Sequence, residues 1–236
     1  MAIGLENSTA TTLSGAGSYN LNFQCNGSNR LLAVVVTGIR SSESGWSWSS
    51  CTYNSTALTE TVVNAQPGNN RNVRTALWTL VNPTGGGSYQ LSVSPSVSLA
   101  GARVMLFSLS GVNQTTPIGT SGTHAAQTSA FSANLTTGIA DAWLVGGAGI
   151  RNGTLTWTPG TGVTEVFDQS SGSDTTDDVG ATMGYRICTS TGGYTFASTA
   201  SATNYGVLVA AEIQPAAAGG TTMPIFAHCY RQLANA

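Results

Sequence analysis

The sequence predicts an all-β protein: a jelly-roll-like antiparallel β-sandwich of about a dozen strands, formed as one domain over residues 1–215. Three observations carry this. Short β-branched and aromatic runs recur along the chain, with clusters of Gly, Pro, Asn and Ser between them. No segment shows a long amphipathic helical period, so the interleaved helices of a parallel α/β sheet are missing. Hydrophobic residues make up 41% of the 236 positions, enough for a sizeable single core, while only 8% are charged.

The strands follow in order. Residues 19–23 alternate, with Tyr19, Leu21 and Phe23 on one face. Residues 30–37 (RLLAVVVT) form a continuous apolar run, as expected of a central strand covered on both faces. Further strands are expected at 57–63, 73–81 and 89–93, the last two separated by the turn signal NPTGGG at 82–87. In the second half, 103–109 (RVMLFSL) and 142–146 (AWLVG) read as buried strands, followed by 162–167, 181–188 and 205–213. This number of strands makes two sheets of five or six. Beyond it, 215–222 (PAAAGGTT) has linker composition. A short apolar tail follows, in which Ile225, Phe226, Tyr230 and Leu233 are candidate contacts, either packed back on the domain or docked on a neighbouring subunit.

Charge excludes several partners. Lysine is absent, all eight basic residues are arginine, and the net charge is −2. Nucleic-acid binding needs clustered cations to displace counterions, and a membrane surface needs a polybasic patch; neither partner is expected. The longest apolar run, 31–36, is far short of the ~20 residues that span a bilayer. The opening MAIGLE carries no basic stretch followed by an apolar one, so no signal peptide is expected.

Groups that move protons or attack substrates are sparse. His124 and His228 are the two imidazoles, and both are expected to be surface or packing residues, His124 in a loop. Glu165 and Asp168 lie near one strand's end, the nearest approach to the paired carboxylates that cleave glycosides. No catalytic residue is assigned, and an enzyme is not expected. Asp174, Asp177 and Asp178 form the one acidic cluster. It lacks the EF-hand spacing and is expected to be a solvated loop, with calcium as the alternative. No cofactor is expected otherwise. Cys25, Cys51, Cys188 and Cys229 form no CxxC pair. Cys25 and Cys51 flank the apolar run and are placed to pair, but buried free thiols acting as small core hydrophobes are the stronger expectation.

Trp46 and Trp48 stand two apart and face one side of an extended segment. With Tyr53 they offer an aromatic platform for sugar rings, set in the polar stretch SSESGWSWSSCTYNS. The stronger expectation is that the tryptophans cap one end of the core, with the platform as the alternative.

Six phrases in sequence order carry a family likeness: NRLL at 29–32, ALT at 57–59, LWTLVNP at 77–83, YQLSV at 89–93, FSLSGVNQTTPI at 107–118 and VLVAAEIQP at 207–215. Over about residues 17–215 the chain resembles a jelly-roll β-sandwich domain family of phage virion decoration and appendage proteins and of bacterial surface proteins. The resemblance implies a virion location and a structural role, as capsid decoration (cement) or as a tail or fibre component. Its implied partners are other virion proteins or copies of itself, with glycans as a further partner. It carries no catalytic residue.

Overall fold

The computed structural model describes residues 1–13, 18–169 and 177–217. Among them every regular element is a strand: β1 (Gly4–Leu13), β2 (Tyr19–Gln24), β3 (Leu31–Arg40), β4 (Trp48–Tyr53), β5 (Thr56–Ala57), β6 (Thr59–Gly68), β7 (Arg71–Val81), β8 (Ser88–Pro95), β9 (Gly101–Ser110), β10 (Ile118–Thr137), β11 (Ala142–Arg151), β12 (Trp157–Pro159), β13 (Thr164–Gln169), β14 (Val179–Cys188) and β15 (Gly192–Ile213). All pairings between these strands are antiparallel. The protein is an all-β, jelly-roll-like antiparallel sandwich.

Two main sheets face each other. The first has the order β1-β9-β3-β7-β6; the second has β10-β15-β11-β14-β13, with β12 attached to β15. A third sheet of four short strands, β2-β8-β4-β5, covers the outside of the first. The chain divides cleanly between them. The strands up to β9 build the first and third sheets, and those from β10 onward build the second.

Strand periodicity explains the layering, because successive side chains point to opposite faces. Along β3, Leu31, Ala33, Val35 and Ile39 face the second sheet, where they meet Val145, Met183, Val207 and Val209 in one apolar cluster. Leu32, Val34 and Val36 face the third sheet, where they meet Phe23, Trp48, Tyr53 and Leu91 in another. The continuous run RLLAVVVT is therefore buried on both faces, as its lack of alternation predicts. The same holds for β11 and the second half of β15: Leu144, Ala148, Leu208 and Ala210 point away from the central cluster into a third. The single core expected from the sequence is thus three stacked cores.

The third cluster is roofed by an extension of the second sheet's own strands. β10 and β15 are 20 and 22 residues long and pair throughout. Laid straight, β10 would run about 66 Å, twice the length of β3. It folds over instead. The pairing register shifts between Thr128 and Ala130, where Thr128 opposes Asn204 but Ala130 opposes Thr199. There residues 200–203 of β15 stand opposite the single residue Ser129 of β10. Beyond the bend the ribbon returns over the outer face of the sheet, placing Phe131, Ala133, Leu135 and Phe196 in the third cluster. Gly122 eases the close return, since a β-carbon there would lie 3.3 Å from the Ala133 methyl of the same strand.

Turns match their residues. Asn69 and Asn70 both have positive φ in the two-residue turn joining β6 to β7, as a type I′ hairpin turn requires. The NPTGGG signal forms the β7–β8 connection, with Asn82 and Gly86 at positive φ. The strand expected at 57–63 is interrupted: residue 58 separates β5, in the third sheet, from β6, in the first.

Candidate functional site

The aromatic platform does not form as a surface: of the two readings of Trp46 and Trp48, the structure has the buried one. Trp46 and Trp48 are 6% and 4% exposed, and Tyr53 is fully buried. The two indoles pack edge to face, with centroids 5.0 Å apart, over the α-carbon of Gly38 in β3. Trp46 Nε1 donates to the carbonyl of Asn72 at 3.4 Å, and the Tyr53 hydroxyl donates to the carbonyl of Phe23 at 3.0 Å. Burial pushes the Tyr53 phenol up. The pairing register of β4 with β8 shifts between Trp48 and Ser50. The shift changes the inward parity, so that Trp48, Cys51 and Tyr53 all enter one cluster. The tryptophans line the interior between the first and third sheets.

The two described members of the acidic cluster, Asp177 and Asp178, are likewise committed to the fold. Asp174 lies outside the described residues. Asp177 pairs with Arg71 of β7 and accepts from the Ser41 hydroxyl at 2.8 Å. These contacts hold its carboxyl below the usual range, the Ser41 hydrogen bond most of all, with Arg71 and Arg151 adding to it. Asp178 accepts from Arg103 at 3.0 Å. Its carboxylate is within bonding distance of the Val179 amide as well, at 2.7 Å. The Arg103 guanidinium is buried almost completely, and burial pulls its pKa down against the opposing pull of Asp178. These residues link β7 and β9 of the first sheet to the start of β14 in the second. Among the described residues no three His, Cys, Asp or Glu side chains gather in a way that would hold a metal ion.

The remaining candidates also serve as braces. His124 lies in β10, not in a loop, and its Nδ1 accepts from the Ser132 amide at 3.1 Å across the ribbon's bend. Glu165 accepts from the Thr182 hydroxyl at 2.6 Å, and burial raises its carboxyl pKa. Asp168 accepts from the Trp157 amide at 3.0 Å, tying β12 to β13. Cys25, Cys51 and Cys188 are buried and unpaired with one another, and burial pushes the Cys51 thiol up to about 12. The tail residues Ile225, Phe226, Tyr230 and Leu233, with His228 and Cys229, lie outside the described residues.

One buried carboxylate escaped the sequence reading. Glu212, 1% exposed, sits in the apolar strand VLVAAEI. Its carboxylate accepts from the Thr120 amide at 3.1 Å, the Thr120 hydroxyl at 3.4 Å and the Gly138 amide at 3.0 Å. Gly119 leaves room for it, since a β-carbon there would collide with Glu212 Oε2. The available signal was the residue itself, since a lone acid inside an apolar strand needs buried donors.

Two surfaces remain. The outer face of the ribbon presents Ala130, Ser132, Asn134 and Thr136 of β10 beside Thr199, Ala197, Thr195 and Gly193 of β15, with Asn134 and Thr195 hydrogen-bonded across the strands at 2.7 Å. Between the start of β6 and the start of β10 lies a groove of about 460 Å³ walled by Leu80, Val81, Pro117 and Ile118. No family model, curated protein or solved structure matches this chain.

Proposed function

We propose that this chain is a non-enzymatic structural component of a phage virion, a capsid decoration or tail-fibre protein that works by contact with other virion proteins or with copies of itself. The observation that carries the reading is the outer face of the ribbon. Its side chains are short and uncharged, from Ala130 and Ser132 to Thr195 and Ala197. Such a face loses little side-chain entropy on burial and has no charge to desolvate, which suits a contact repeated many times over a lattice. Weak individual contacts then sum through multivalency. The phrases that resemble phage and bacterial surface sandwiches support the same role. The carboxylates described above are occupied in holding strands together, which fits contact better than catalysis.

The test is assembly. Particles purified from the source phage are analysed by mass spectrometry, and the isolated protein by light scattering. The expected result is a stoichiometric virion component, with Ser132→Arg and Ala197→Arg abolishing incorporation while leaving the melting temperature unchanged. A protein absent from particles and monomeric at high concentration would sink the proposal.

A further inference from the structure

Two Asn-Gly pairs occur in the sequence, Asn26-Gly27 and Asn152-Gly153. In such a pair hydroxide removes the glycine amide proton, and the amide nitrogen attacks the asparagine Cγ. A C–N bond forms, and the side-chain nitrogen takes a proton from water and leaves as ammonia. A second water then opens the succinimide ring to aspartate or isoaspartate. The step needs no oxidant, metal or second protein. Glycine favours it because no side chain screens its amide. Two conditions remain: solvent must reach that amide, and the carboxamide must be free to turn toward it.

The second pair meets neither condition. Gly153 is buried. The Asn152 carboxamide oxygen accepts from the Thr154 amide at 2.9 Å and from the Thr154 hydroxyl at 2.8 Å, the local bonding by which asparagine fixes a turn. The Asn152 amide donates to the carbonyl of Asp178 at 2.9 Å. Attack at Asn152 would have to break the first two bonds and open the loop to water.

The first pair meets both. Gly27 is exposed, in the connection from β2 to β3. Among the described residues neither the Gly27 amide nor the Asn26 carboxamide has a hydrogen-bond partner. The groups around them are held. The Asn26 amide donates to the Ser108 hydroxyl at 3.1 Å, and the Gly27 carbonyl accepts from Arg30 Nη1 at 3.0 Å. The fold also keeps the reactive glycine in place. Gly27 has a φ of 78°, and a β-carbon there would lie 2.6 Å from Ser110 Cβ at the end of β9. Any larger residue would be strained and would collide, so the residue that makes the pair reactive is the one the packing demands.

We propose that Asn26 is a site of spontaneous deamidation in the folded protein, converting with age to aspartate and isoaspartate, while Asn152 is protected. Isoaspartate adds one methylene to the main chain between the Ser108 and Arg30 contacts. Both products add a negative charge next to Gly27, which packs against the Glu6 side chain. The β2–β3 connection joins the third sheet to the first, so ageing loosens that junction. The proposal goes beyond the virion role and does not depend on it.

The test is ageing of the full-length protein in mildly alkaline buffer, beside a sample unfolded in guanidinium chloride. Peptide mapping by mass spectrometry follows both asparagines. In the unfolded sample the two pairs should convert at similar rates. In the folded protein Asn26 should convert at least about tenfold faster than Asn152, whose reaction waits on local opening. The aged parent should melt below fresh protein, and the aged Asn26→Gln variant should melt as it did when fresh. Asn26 left intact in folded protein while the unfolded sample converts would overturn the proposal. So would conversion of Asn152 as fast as Asn26. A melting temperature unchanged by full conversion of Asn26 would overturn the loosening of the junction.

Discussion

The Gly138 amide donates to the Glu212 carboxylate at 3.0 Å, and the other oxygen of that carboxylate accepts from Thr120. Gly138 follows the end of β10 and Thr120 lies near its start. One buried side chain therefore gathers both ends of the doubled strand, and the fold of the ribbon over the second sheet is fixed at a point remote from its bend.

Glu212→Ala should destabilise the protein by about 3 kcal/mol, since it strands two amides that had a charged acceptor. Glu212→Gln keeps one acceptor but turns an NH2 toward a donor, and should cost about half as much. Urea denaturation checks the order of the two variants. Equal stability of Glu212→Ala and the parent would show that water replaces the carboxylate freely.

Asp178→Ala leaves the Arg103 cation buried without its partner and should cost about 3 kcal/mol. Arg103→Met fills similar volume without charge and should cost less. In the double variant the losses should fall short of additive by 1 kcal/mol or more, the coupling measured by a double-mutant cycle in chemical denaturation.

The Asp177 carboxyl is held below its ordinary value in the folded state, chiefly by Ser41 and then by Arg71. The sign of its effect follows from linkage: its contribution is present above the unfolded pKa, near 3.8, and is lost as pH falls through the lower folded value. Unfolding midpoints measured from pH 5 downward should therefore fall less steeply in Asp177→Asn than in the parent. Parallel curves would count against the ion pair as a source of stability.

Gly38→Ala should destabilise by about 1–3 kcal/mol through overpacking. A β-carbon there would lie 2.7 Å from Leu99 Cδ1 and 3.1 Å from the Trp46 ring. Because Trp46 and Trp48 are buried, their displacement should move the fluorescence emission to the red, and an unchanged spectrum would show that Leu99 alone yields.

Cys25, Cys51 and Cys188 should react with a thiol reagent only on global unfolding. Burial closes access to them, and the raised Cys51 pKa leaves almost no thiolate at neutral pH. Reaction with folded protein would reveal local opening of the core.

What the sequence revealed follows the kind of burial involved. Strands covered on both faces, β3, β9 and β11, have continuous apolar runs that leave little else to conclude; two of the three sheets have the expected five and six strands, and the four-stranded third sheet adds to the two expected. β10 was illegible. Its inward residues are spaced by Ser, Asn and Thr, and its early half (GTSGTHAAQTS) is mostly small and polar, because the paired β15 and the neighbouring β6 bury it only in part. β4 hid for a different reason, since its bulge broke the alternation that marks a strand. Among the described site candidates, Trp46, Trp48, Tyr53, Asp177 and Asp178 are all engaged by their own protein. An aromatic pair and an acidic cluster look alike on paper whether they meet a ligand or their own protein, and only the positions of Gly38, Arg71 and Arg103 show which.

The division of the chain between layers bears on how the protein is made. When residue 110 has emerged from the ribosome, the first and third sheets are complete, yet Leu31, Val35, Met105 and Phe107 still await their partners in β11, β14 and β15. At ~5–20 residues per second, translation of the next hundred or so residues takes roughly 5–20 s. During that interval the apolar face of the first sheet lacks the strands that bury it in the finished protein.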